Sequence, residues 1–259
     1  MPRKRKGDGD GIDEVPSKKA KCPPPRNRAS SSSLLLACKD MNDDRKVAID
    51  EMDFTSLQNI QCDHLFNNLS VWLADLYNPD SRGVVVPGRG RLPVNEEYVH
   101  RVMGVPRGGE DVPYNLPTEA DVELGLELFG ELGYAPKMTD LVDLIKGSEN
   151  ADDTFKRMWL FLAGNTIIAP TTSNKVSPRW YAVLCASLFN LQRDINGIKN
   201  LNWSKFIADE LQRALLKRKP TRGCLLFYNT KKLITLVLNK DVQADKVSFR
   251  KLPLKPEFA

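Results

Sequence analysis

Apolar side chains recur at the spacing of one helix face in stretch after stretch of this 259-residue chain. That period favours packed helices over any sheet architecture. Leu65, Leu69, Trp72, Leu73 and Leu76 form one such stripe, ended by Asn78-Pro79-Asp80. Val122, Leu126, Phe129 and Leu132 form another, closed by Gly133. Phe155, Trp159 and Leu162 share a face with Met158 beside them, and Pro170 sets the limit. Trp180, Leu184, Leu188 and Leu191 follow Ser177-Pro178, a favourable start because Pro in the first turn loses no needed hydrogen bond. Trp203, Phe206, Ile207, Leu211 and Ala214 make the last clear stripe, before Lys217-Arg218-Lys219-Pro220. Each tryptophan of the second half sits on a stripe, so core packing is its default role.

Helix ends are marked as clearly. Asn95 reads as an N-cap, with Glu96 and Glu97 in the first turn, where the helix dipole favours anions. That helix should stop at Gly104, ahead of Pro106. Thr118 with Asp121 resembles a capping box, and Thr139 is expected to cap a short helix ending near Gly147. One stretch breaks the pattern. Val84-Val85-Val86 and Leu92-Pro93-Val94 flank a Pro87-Gly88 turn, which predicts a small β-hairpin near 84–94. The expected fold is mainly α: a multi-helix globular domain with that hairpin, preceded by a disordered basic tail. The expected division is residues 1–53 as tail and linker, 54–238 as the helical domain and 239–259 as a weakly structured C-terminal segment. Residues 224–238 are apolar but fit helix and strand equally.

Charge is distributed unevenly. Residues 1–28 hold nine Lys/Arg against four acids, which accounts for the whole net charge of +5. Two basic clusters, Arg3, Lys4, Arg5 and Lys6, then Lys18, Lys19 and Lys21, have the spacing of a two-part nuclear import signal. The expected localisation is the nucleus, and the expected first partner is a nuclear import receptor. The remaining chain is neutral but polarised: net −11 over residues 29–150 and net +11 over 151–259. A basic half is either a nucleic-acid surface or the counterpart of the acidic half. For the first reading the candidate phosphate contacts are Lys205, Arg213, Lys217, Arg218, Lys219 and Arg222. No aromatic residues interleave with the 213–222 cluster, so base stacking is not indicated.

Catalytic chemistry finds little to build on. The five cysteines are widely spaced without a CxxC pair, which argues against a disulfide framework and suits a reducing compartment. Cys62-x-His64 is a single weak pair for zinc, with His100, Cys185 and Cys224 far away in sequence; core packing is the simpler role. Gly88-Arg89-Gly90 and Arg107-Gly108-Gly109 lack the phosphate-loop spacings and read as turns. With only two histidines and no GxSxG elbow, neither a Cys-His nor a Ser-His-Asp site is supported. The carboxylate pairs Glu96-Glu97 and Asp152-Asp153 stand at helix starts, where capping explains them. No catalytic, cofactor or metal residue is assigned, and the expectation is a non-enzymatic protein. Leu34 to Cys38, the longest early apolar run, is far short of the ~20 residues that span a bilayer, so no membrane partner is expected.

Three ordered stretches carry a family resemblance: PGRGRLPV at 87–94, EYVHRVMGVPRGG at 97–109, and the segments 155–178 and 198–211 (FKRMWLFLAGNTIIAPTTSNKVSP and IKNLNWSKFIADEL). Together they resemble the plant mobile domain family, also labelled "aminotransferase-like", whose members are transposon-derived plant proteins. In grasses similar segments precede a SUMO-protease-like domain. The resemblance covers about residues 55–227 and implies a mainly helical nuclear domain without an established catalytic site. No residues here support the aminotransferase label. After Gly223 to Phe227, the segment 228–232 (YNTKK) replaces the Leu-rich helix usual in that family, implying a truncated or altered C-terminal end. Two functions follow: a nuclear protein acting through protein or chromatin contacts, or a DNA-binding or transposition-related factor using the basic half.

Overall fold

A computed structural model describes residues 31–60, 72–87, 90–171, 173–184 and 195–217. Among them lie helices α1 (Ser31–Cys38), α2 (Asp43–Glu51) and α3 (Thr55–Gln58), and a helical turn at 72–75. Strands β1 (Tyr77–Asn78), β2 (Gly83–Val86) and β3 (Gly90–Pro93) follow. Then come α4 (Glu96–Met103), α5 (Glu119–Phe129), α6 (Met138–Gly147), α7 (Asp153–Ala163), α8 (Arg179–Leu184) and α9 (Trp203–Leu216). The fold is mainly helical with a small antiparallel sheet in the order β1-β2-β3.

The hairpin forms where expected, with Val84 opposite Leu92 and Val86 opposite Gly90. Val84, Val86 and Leu92 are buried while Val85 faces out, the alternation of a sheet with one face on the core. The strand β1 was not expected; two residues carry no readable period.

Local chemistry explains most helix ends. Asn95 Oδ1 accepts from Tyr98 N at 2.9 Å, and Gly104 ends α4 in the left-handed region at φ 63°. Thr118 and Asp121 exchange capping hydrogen bonds at 2.8 and 3.3 Å. Asp152 Oδ1 accepts from Phe155 N at 2.9 Å to start α7. The start of α6 differs from expectation. Its cap position is Lys137, whose backbone N–H donates to Asp140, and Thr139 lies inside the helix. A carboxylate three residues along satisfies the free N–H without a capping hydroxyl.

Two larger expectations are corrected. Residues 34–53 are not a linker: α1 and α2 occupy most of the span, and Leu34, Ile49 and Met52 are fully buried. Asn42 caps α2 by accepting from Arg45 N at 3.0 Å. The acidic surface of α2 hides a narrow apolar face too short to show a period. The stripe on α5 is also displaced. Leu126 and Leu132 are exposed, and Asp121, Gly125 and Phe129, four residues apart, face the core instead.

The centre is aromatic. Trp159, Trp180 and Trp203 are fully buried. Phe54 meets Trp159 and Trp203 edge-on, with centroids 6.1 and 5.2 Å apart, and Trp203 stacks on Trp180 at 6.0 Å. After α7 the chain continues as a π-helical turn over Gly164–Ile168, and Trp180 packs against Gly164, where a Cβ would fall within 2.6 Å of the indole. Leu65, Leu69, Leu188, Leu191, the tail 1–30 and everything from 218 onward lie outside the described residues.

Candidate functional site

Among the described residues, a concave feature with polar lining is built around the first three turns of α9. Its position is fixed by backbone pairing with the loop after α4. Glu110 N donates to Asn200 O at 3.1 Å, and Asn202 N donates to Glu110 O at 2.7 Å. Ser204 closes the same seam, its N donating to Pro106 O and its hydroxyl to Val105 O at 3.1 Å. Asn202 caps α9 by accepting from Lys205 N at 3.0 Å. Further along, Gln212 Nε2 donates to Val94 O at 2.6 Å, so α9 is held at both ends against the hairpin and α4.

With its inner face fixed, α9 presents Lys205, Phe206, Asp209, Glu210 and Arg213 on its other side. These five line a cleft of about 380 Å³ with Asp111, Val112, Tyr114 and Asn115 from the loop and Arg179 from α8. Lys205 Nζ donates to both oxygens of Asp111, at 2.6 and 2.8 Å. That hydrogen bond, above all, raises the Lys205 pKa; desolvation opposes it, and the charges of Asp111, Asp209 and Glu96 add to the rise. Arg213 donates to Glu210 one turn away. The Tyr114 ring forms the inner wall, 4.8 Å from Trp180 and 5.2 Å from Phe206, with the Arg179 guanidinium 5.7 Å from its centroid. Its hydroxyl lies 3.4 Å from Ser177 Oγ. Burial raises the Tyr114 pKa; Glu210 adds to the rise, while Ser177 and Arg179 oppose it.

Three cations and three carboxylates thus share one cleft beside the half-buried rings of Tyr114 and Phe206. Such a surface can bind a partner that carries both charges. It offers no excess of positive field for a polyanion.

Of the candidate phosphate contacts, Lys205 and Arg213 come together here, both already paired with carboxylates. Lys217 follows at the C-terminal end of α9 and is exposed; Arg218, Lys219 and Arg222 lie outside the described residues. The import-signal residues Arg3, Lys4, Arg5, Lys6, Lys18, Lys19 and Lys21 lie outside them too, as do Cys62, His64, Cys185 and Cys224. His100 Nδ1 donates to Val105 O at 2.7 Å and tethers the loop after α4. In the Arg107-Gly108-Gly109 loop, both glycines have positive φ, and Arg107 pairs with Glu96 at 3.3 Å. That is a turn, as its composition predicts.

Asp111, Tyr114, Arg179, Asp209 and Glu210 were not singled out from the sequence. The i, i+3 spacing of Glu210 and Arg213 was a usable signal. Asp111, Tyr114 and Arg179 come from segments whose meeting no local pattern encodes.

The family of a domain of unknown function, DUF8566, matches residues 27–228. The chain belongs to that family. The DUF8566 match takes in α1 and α2, consistent with their place in the core, and contains the whole cleft. No curated protein and no solved structure matches the chain. Among the described residues of this DUF8566 protein, no helix is long and apolar enough to cross a membrane.

Proposed function

We propose that this chain is a nuclear, non-enzymatic interaction protein whose helical domain binds other proteins through the cleft beside α9. The observation that carries this reading is the pairing of Lys205 with Asp111 and of Arg213 with Glu210. The basic half spends these cations on carboxylates of the same fold, which leaves a mixed-charge, aromatic-edged surface suited to a protein partner. The nuclear address rests on Lys18, Lys19 and Lys21 with the cluster at Arg3 to Lys6, read by an import receptor. The resemblance to plant mobile domains supports a transposon-derived origin for such a module.

The DNA-binding alternative is favoured only by Lys217 and the basic run that follows it. Titration of the full chain against duplex DNA separates the two. Contact with several phosphates gives an affinity that falls steeply with salt, with a slope near −0.9 for each phosphate neutralised. The protein-interaction reading expects weak binding, lost when residues 1–28 are removed. Tight, salt-steep binding that survives this removal would overturn it. A fluorescent fusion with Lys18, Lys19 and Lys21 changed to Ala should lose nuclear accumulation; unchanged accumulation would remove the proposed address.

A further inference from the structure

A second groove, of about 640 Å³, runs along α6 and faces the turn after α5. Leu132, Leu144 and Met158 supply its apolar floor, and Asp140 and Asp143 stand in its wall. Asp140 is engaged, accepting from Lys137 N and from the Thr139 hydroxyl, whereas Asp143 makes no ion pair among the described residues. Glu119, Glu123, Glu127 and Glu131 follow one another at four-residue intervals along α5 and its closing turn. All four are exposed and unpaired among the described residues. Between Glu119 and Glu149 there are eight acids and only two cations, Lys137 and Lys146.

We propose that this groove is the docking site of the chain's own basic N-terminal segment, residues 1–30. Three observations select that occupant. The segment carries nine Lys/Arg, the charge that an apolar floor with a carboxylate rim calls for: the alkyl stem lies on the floor and the cation reaches the rim. It joins the fold at Ser31, the first residue of α1, and α1 packs directly against α6. Finally, the tether is long enough. Nine residues, or ten Cα steps, separate Lys21 from Ser31 and span up to ~35 Å. The ten-residue α6 is only ~15 Å long. A link this short holds the cations near the groove at an effective concentration on the order of millimolar. Docking sequesters the lysines on which an import receptor would act, yet the contact itself does not depend on the nuclear reading.

The test is zero-length carbodiimide coupling of the full chain at dilute concentration, in which a lysine amine and a carboxylate join as an amide with loss of water. Mass spectrometry should place the links within one molecule, from Lys18, Lys19 or Lys21 to Asp140, Asp143, Glu127 or Glu131. Trypsin gives a second readout. Cleavage after Lys19 and Lys21 should be several-fold faster in a variant carrying Glu127→Gln, Glu131→Gln and Asp143→Asn. The wild-type rate should approach that of the variant at about 0.5 M salt, with a free peptide of the same sequence as control. Links confined to other carboxylates, links found only between two copies, or equal cleavage rates would overturn the proposal.

Discussion

A Cβ on Gly125 would lie 1.7 Å from Tyr181 Cε1. The bare backbone of α5 at that point is the wall against which a fully buried tyrosine ring rests. The ring stacks on Tyr134 at 5.0 Å and meets Phe161 edge-on at 5.2 Å, and its hydroxyl donates to Tyr134 O. It therefore has no direction in which to retreat. Gly125→Ala gains up to ~1 kcal/mol of helix propensity but overpacks a filled core, which costs about 1–3 kcal/mol or more. The expected net result is destabilisation, read as a lower urea midpoint. Gly147→Ala is the control: its Cβ would meet nothing within 4 Å, and it should be neutral or stabilising.

Gly108 and Gly109 share a positive φ, 81° and 82°, but only one is crowded. A Cβ at Gly109 would fall 1.8 Å from Asn200 O, in the seam that positions the cleft, while Gly108 has open space. Gly108→Ala should cost about 1–2 kcal/mol, the strain of a left-handed alanine. Gly109→Ala should cost distinctly more, because the strand-like pairing of Glu110 with Leu201 must open. Thermal melts of the two variants measure the difference; equal losses would mean that the seam contributes nothing.

Lys156 is buried and donates to Glu51 and Asn196, each at 2.7 Å, while half of the Glu51 side chain is in solvent. The two ends of this bond should respond unequally. Glu51→Ala strands a buried ammonium on one neutral acceptor and should cost about 1–3 kcal/mol. Lys156→Met keeps the stem and leaves a hydrated carboxylate, so its loss should be smaller. The double variant should lie close to Lys156→Met alone. Denaturant melts of the three variants decide it; additive losses would show that the pair is not coupled.

Stability should decline as pH rises above about 10. Burial raises the pKa of Tyr77, Tyr98, Tyr114 and Tyr134 above the ordinary value of 10.0. A folded pKa above the unfolded one means that the unfolded chain gives up its proton first. The stability is fully present below pH 10 and is lost as pH rises through the folded values. Tyr114→Phe should make the decline shallower. Equilibrium melts at stepped pH, with tyrosinate absorbance followed in parallel, check this; the same slope in the variant would remove Tyr114 from the set.

The cleft was half legible in advance. Lys205 and Arg213 read from the sequence as candidate phosphate contacts, and the two lie on one face of α9. Their carboxylate partners changed their meaning. Glu210 is a neighbour in sequence, but Asp111 is 94 residues away. Whether a lysine faces water or a distant aspartate depends on which loop docks beside it, and no residue near Lys205 records that. The same holds for α5. Its apolar residues predicted a helix correctly, but which side of it was buried depended on the one position without a Cβ.

What this sequence determined by itself is the set of local structures that short-range forces control: the hairpin at 84–94, the caps at Asn95, Thr118 and Asp152, and the indole positions on their helix faces. Side-chain oxygens and backbone amides three residues apart find each other in any context, so their pattern is readable. Tertiary structure alone decided how the net −11 and net +11 halves share their charge. Lys156–Glu51 and Lys205–Asp111 both cross between them. An ion pair needs its partners within 4 Å. For residues about a hundred positions apart, that distance is set by how whole helices pack, not by anything either residue shows to its neighbours.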